Sequence, residues 1–185
     1  MFTVTVSHPP PRRPARTASL PESSDALGQP RRGDLGYLQR VFNKLLLNFA
    51  WWINRKDAEG LNLFEGGFLG LDNISVYDRS RPLPDGYSLK QADATGWMAM
   101  FALNLTAMAL ELCTGDPEYE DIAIQCYLQF LAIAEAIAGK GETHTPSLWD
   151  SDAGFFKDLL VSPDGGVHHI DVYSWVGLIP LFATE

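Results

Sequence analysis

The segment FEGGFLGLDNISVYDRS, residues 64–80, holds the side chains best suited to chemistry. Gly66, Gly67 and Gly70 let the backbone turn tightly and approach a ligand, and Glu65, Asp72 and Asp78 set carboxyl groups beside the rings of Phe68 and Tyr77. A carboxyl group among aromatic rings suits sugar chemistry. Ring faces stack on a pyranose, apolar surroundings raise a carboxyl pKa until the group stays protonated near neutrality, and that acid can protonate a departing glycosidic oxygen. By composition alone the segment fits carboxylates that close Asx turns better than it fits an acid catalyst.

Other candidates are scattered. Asp93 stands where a helix begins, as a cap or as a hydrogen-bond partner for a sugar hydroxyl. Trp97, one turn later, is either a floor for a sugar subsite or core packing. Trp149 and Asp150 precede an extended stretch and read as structural. His168 and His169 are adjacent, with Asp171 nearby, but neighbours in an extended chain point to opposite faces and no third ligand is in register, so a solvated edge is expected rather than a metal site. The glycine run lacks the lysine or dinucleotide pattern of a phosphate loop, and no Gly-x-Ser-x-Gly nucleophile elbow is present.

Positioning such groups falls mainly to helices. Leu38, Val41, Phe42, Leu45, Leu46, Phe49, Trp52 and Ile53 recur at helical spacing, which predicts a helix from a Gly33-Asp34 cap to about Lys56. A glycine- and proline-rich stretch follows to Lys90, of the length that usually carries function. A second helix over 91–113 is apolar on nearly all sides and must be buried. A third opens at Asp116-Pro117, turns Tyr119, Ile122, Ala123, Cys126, Tyr127, Phe130, Ile133, Ala134 and Ile137 to one face, and ends at Gly139. Pro163-Asp164-Gly165-Gly166 signals a hairpin, and VYSWVGLIPLF starts a fourth helix that Pro180 kinks or ends.

The 185 residues suffice for one core. Residues 1–32 contain half of the twelve prolines, five arginines, Glu22 and Asp25, and read as a disordered tail or a mis-set gene start rather than a targeting peptide. Their charge of +3 leaves −12 for residues 33–185, since the whole chain carries −9. An acidic surface disfavours nucleic acid. No uninterrupted apolar run reaches the roughly 18 residues of a membrane span, and no secretory signal opens the chain, which makes a cytoplasmic protein the expectation. Cys113 and Cys126 fall on apolar helix faces and read as small buried hydrophobes.

The blocks GGFLGLDN, QADATGWMA, LWDSDAGFF and WVGLIPLFA, in this order across residues 34–185, resemble the catalytic domain of glycoside hydrolase family 63 and its bacterial glucosidase and mannosylglycerate-hydrolase-like relatives. The resemblance implies an all-α fold, part of an (α/α)6 barrel with a small β-hairpin, and inverting hydrolysis of an α-glycosidic bond without a cofactor or metal. It implies Asp72 as general acid, with Asn73, Asp93, Trp97 and Phe68 near an oligosaccharide or small glycoside. In these relatives the base is a Glu in a block downstream of the segment matching GLIPLFA. Glu185 lacks that surrounding motif, so the role is not carried to it. Twelve barrel helices exceed what 153 residues supply, hence the expectation of an incomplete piece with negligible turnover. The competing expectation is a non-catalytic carbohydrate-binding fragment, or a partner-dependent one that associates through exposed apolar helix faces.

Overall fold

A computed structural model describes residues 33–54, 60–65, 75–79, 81, 83–140 and 146–184. Three α-helices form the core. Helix α1, Leu35–Ile53, starts where Asp34 accepts the backbone N–H of Tyr37 at 2.9 Å, as the sequence predicts. It buries Phe42 and Phe49, sets Phe42 edge-on to Tyr119 at 5.7 Å and Phe49 edge-on to Phe101 at 5.2 Å, and leaves Trp51 exposed while Trp52 lies against the core. Helix α2, Ala92–Cys113, is the central element, packed by α1, by α3 and by the C-terminal segment.

The burial of α2 changes along its length. Every residue from Ala92 to Gly96 is buried, with Met98 and Ala99, whereas from Ala102 burial recurs at Leu105, Thr106, Ala109 and Leu112. The expected all-round burial thus holds for the N-terminal half. Beyond it the helix is amphipathic, and Leu110 is exposed. By length and composition α2 could also cross a membrane. In the fold it is the centre of the hydrophobic cluster.

Helix α3, Tyr119–Ile137, begins three residues after Asp116, whose carboxylate accepts the N–H of Glu118 at 3.0 Å. Gly139 follows the helix at φ 65°, a left-handed conformation that favours glycine. The buried face carries Tyr119, Ala123, Cys126, Ile133 and Ile137, but Tyr127, read from the pattern as inward, is exposed. Cys126 lies in the core, where burial pushes its thiol pKa up; Cys113 is a free thiol packed against the same cluster.

An all-α description is too narrow. Strands β1 (Ser88–Lys90), β4 (Leu159–Val161) and β5 (Val167–His169) form a three-stranded antiparallel sheet in the order β1-β4-β5, with Lys90 opposite Leu159 and Leu159 opposite His169. Strands β2 (Trp149–Asp150) and β3 (Phe155–Phe156) make a second hairpin. The predicted Pro163-Asp164-Gly165-Gly166 turn joins β4 to β5. There Ser162 N–H donates to the Gly166 carbonyl at 2.8 Å, and Gly165 takes φ 84°. The strand β1 and the second hairpin escape a periodicity reading because two- and three-residue strands are too short to show alternation.

The last segment is a 3-10 helix, Trp175–Phe182, with Pro180 inside it rather than at its end. It is seated by close approach at two glycines. A Cβ on Gly96 would lie 2.7 Å from Pro180 Cα, and one on Gly177 would collide with the Phe155 ring and the Phe156 carbonyl. Residues Asp34–Glu185 gather into one unit, which matches the compositional change near residue 33.

Candidate functional site

Four stretches of chain meet at the N-terminal end of α2. The 61–65 segment is tied down by two hydrogen bonds: Phe64 N–H donates to Thr95 Oγ1 at 3.1 Å, and Gln91 N–H donates to the Phe64 carbonyl at 3.1 Å. Leu63 and Phe64 are fully buried there, immediately ahead of Glu65. The 75–79 segment enters through Arg79, the 157–159 segment through Asp158, and the 3-10 helix through Pro180 against Gly96.

The centre of this end is ionic. Arg79 is 3% exposed, Asp93 0% and Asp158 5%. The guanidinium meets Asp93 with both terminal nitrogens, Nη1 to Oδ2 at 3.1 Å and Nη2 to Oδ1 closer still, while its Nε faces Asp158 Oδ2 at 3.0 Å. Asp158 Oδ1 accepts the N–H of Ala92 at 2.8 Å, so a carboxylate just ahead of β4 caps α2 from outside and meets the positive end of its dipole. Burial nevertheless pushes the Asp158 pKa up to about 6, outweighing the opposing pull of Arg79 and the Ala92 N–H. Two buried carboxylates share one buried guanidinium.

Lys157, the preceding residue, points the other way along the extended chain. Its Nζ, on a side chain only 4% exposed, lies 3.0 Å from Asp150 Oδ2, 2.7 Å from Asp171 Oδ1 and 4.9 Å from the centre of the Tyr173 ring. The hydrogen bonds the ammonium donates, to Asp171 and to Asp150, hold its pKa above the ordinary value. Asp150 is held down to about 2, first by Lys157 and then by the N–H of Ala153. Its Oδ1 also accepts the N–H of Asp152 at 3.0 Å, so this carboxylate closes the β2–β3 turn, as a structural residue would. Lys90, likewise buried, pairs with Glu65 at 2.7 Å.

Of the residues expected to act on a sugar, Phe68, Asp72 and Asn73 lie outside the described residues, as does Glu185. Asp93 is described and lies wholly inside. It is not the cap of α2, since Gln91 occupies that position, and it has no surface to present to a hydroxyl; its carboxylate holds Arg79 and accepts the N–H of Ala94 at 2.8 Å. Trp97 stacks edge-on to Phe182 at 5.7 Å, and its indole N–H is buried with no hydrogen-bond acceptor among the described residues. Asp78 is at the surface, paired with Arg81 at 2.9 Å. His168 and His169 are exposed on β5, the latter's Nε2 3.0 Å from the Ser147 carbonyl, and no group of three or more His, Cys, Asp or Glu side chains fit for a metal occurs among the described residues.

Arg79, Lys157 and Asp158 were not singled out by motif. The signal was present in FFKDLLV, where two opposite charges interrupt an apolar run; such charges are seldom buried unless each finds a partner. A cavity of about 10 Å3, at the limit for one water, lies beside them, lined by Ser75, Asp158, Ser174 and their apolar neighbours. The Ser75 hydroxyl is buried without a partner among the described residues. On the far side of α2, an apolar groove of about 460 Å3 runs between α2 and α3, lined by Leu103, Ala107, Leu110, Ala123, Ile124 and Tyr127.

The chain is similar to uncharacterized protein YMR196W of Saccharomyces cerevisiae, with 47% identity over 163 residues that cover 83% of this chain. The chain spans about 15% of the length of that yeast protein. No family model and no solved structure matches it.

Proposed function

We propose that this chain is the acid-bearing part of an inverting α-glycoside hydrolase of the family 63 type, with Asp72 protonating the glycosidic oxygen. One observation carries the reading furthest. QADATGWMA opens α2, LWDSDAGFF is the β2–β3 hairpin and WVGLIPLFA is the 3-10 helix, and these blocks, distant in sequence, meet at one end of α2. The GGFLGLDN block lies in the chain between two anchors at that same end, Phe64 and Arg79. A cluster of buried ion pairs there gives the rigid backing that an acid at a barrel mouth requires.

In this reading the helices are part of an (α/α)6 barrel. The general base, which inversion requires about 6.5–9.5 Å from the acid, comes from a Glu block outside these residues. The α2–α3 groove, with Leu128 and Leu131 exposed beside it, supports association with a further apolar helix face.

Chemical rescue tests the assignment. Offered α-glucosides, α-mannosides or mannosylglycerate in water, the purified chain turns over negligibly. With azide supplied as the nucleophile, it forms the glycosyl azide of inverted configuration, Asp72 giving its proton to the leaving oxygen, and Asp72→Asn abolishes the product. Glycosyl azide that forms undiminished in Asp72→Asn, or none from the unaltered chain, would refute the assignment.

A further inference from the structure

Helix α1 has a second face. Phe42 and Phe49 point inward, while Tyr37, Arg40, Lys44, Leu47 and Trp51 recur at spacings of three and four and share the outer side. Tyr37 is 62% exposed, Leu47 76% and Trp51 50%. The Arg40 guanidinium lies over the Tyr37 ring at 5.9 Å, and neither Arg40 nor Lys44 enters an ion pair among the described residues. This face is therefore apolar and cationic.

The α2–α3 groove is its complement. Leu110, Ile124 and Tyr127 line it and are exposed. Neither α2 nor α3 contains a lysine, arginine or histidine, whereas the exposed Glu120 lines the groove and the exposed Glu111 adjoins Leu110. Two such grooves brought together would set Glu111 and Glu120 of both copies against each other. The outer face of α1 instead brings cations to these carboxylates and large apolar side chains to the groove. The groove is lined by α2 and α3 alone, and α1 is seated in its own chain through Phe42 on Tyr119 and Phe49 on Phe101, none of which lines the groove. One chain can thus offer both surfaces at once.

We infer that the outer face of α1 in one copy of this chain docks in the α2–α3 groove of a second copy, with Leu47 as the apolar anchor and Arg40 and Lys44 against the carboxylates. The interface is head-to-tail. Because its two surfaces differ, every dimer leaves one of each open, and association continues until a ring closes or a filament extends. This names the apolar helix face that the groove takes, and it stands whether or not Asp72 is an acid catalyst.

The test is sedimentation velocity of the full chain over a wide range of concentration. Reversible association that grows past the dimer is expected, weakened roughly tenfold or more in Leu47→Gln and in Leu110→Gln, the scale of one lost apolar anchor. Both side chains are exposed, so each variant should melt with the unaltered chain, which separates lost docking from lost fold. At a concentration where each variant alone is monomeric, their equimolar mixture should form a dimer and stop there, since one intact α1 face and one intact groove remain between them. Reversing Arg40 and Lys44 to Glu should weaken association roughly tenfold, and adding Glu111→Lys and Glu120→Lys to the same chain should recover most of it. A chain that stays monomeric throughout, a mixture that does not associate, or reversed charges without recovery overturns the inference. So does a dimer that depends on Leu110 but not on Leu47, which would be groove against groove.

Discussion

Replacing Asp158 by Asn should make this protein more stable at neutral pH, although the substitution removes a carboxylate from a buried ion pair. In the fold Asp158 titrates at about 6, against 3.8 for an ordinary aspartate, so between those values the folded state holds a proton that the unfolded chain has released. The stabilisation from that proton is whole below pH 3.8 and is lost as the pH rises through about 6. A rise from 3.8 to about 6 corresponds to about 3 kcal/mol, which at this chain length is roughly 6–12 °C in Tm. Asn resembles the protonated acid at every pH and keeps an oxygen for the Ala92 N–H. Urea unfolding, read by tryptophan fluorescence from pH 4 to 8 for both proteins, isolates the effect as a difference. The two stabilities should converge near pH 4 and separate to about 3 kcal/mol above pH 7, with the variant ahead. A constant offset across the range, or a variant that is less stable by more than about 1 kcal/mol at pH 7.5, would mean that Arg79 outweighs burial and that the account of this cluster is wrong.

Removing the shared cation should do the opposite. Arg79→Met leaves Asp93 and Asp158 buried without their counterion and should cost about 3–5 kcal/mol at pH 7.5, with part of the loss recovered by adding Asp158→Asn; equilibrium unfolding of the double variant measures the recovery. Gly96→Ala would press a methyl group to 2.7 Å from the Pro180 backbone and should destabilise by about 1–3 kcal/mol, whereas Gly33→Ala, with open space around it, should leave Tm unchanged. Equal Tm values for the two glycine variants would show that the 3-10 helix is not seated on α2 as described.

Much of the helical frame was legible in the residues. The 3.6-residue recurrence of Phe42, Phe49 and their neighbours, the Asp34 cap and the Gly139 stop located α1 and α3, because each of these signals is local. Local signals also explain the misreading of Tyr127. An apolar residue near the inward stripe looks the same whether or not another element covers it, and on α3 nothing described here does.

The site was less legible, for a reason that Asp93 illustrates. At the start of a helix, an aspartate has the same local grammar as a cap, a ligand-binding group or an ion-pair partner. Its part was settled by Arg79, fourteen residues upstream, and by Asp158, which took over the capping that Asp93 was positioned to provide. The acidic balance, the aromatic-rich glycine segment and the order of the motif blocks were properties of the chain alone, since they depend on which residues are present and how they follow one another. Which carboxylates are buried, which cation they share and which rings stay open to solvent depended on contacts between segments far apart in the chain, Ala92 and Asp158 being 66 residues apart and Arg79 and Asp158 further still, and burial, not residue type, sets the protonation of Asp158.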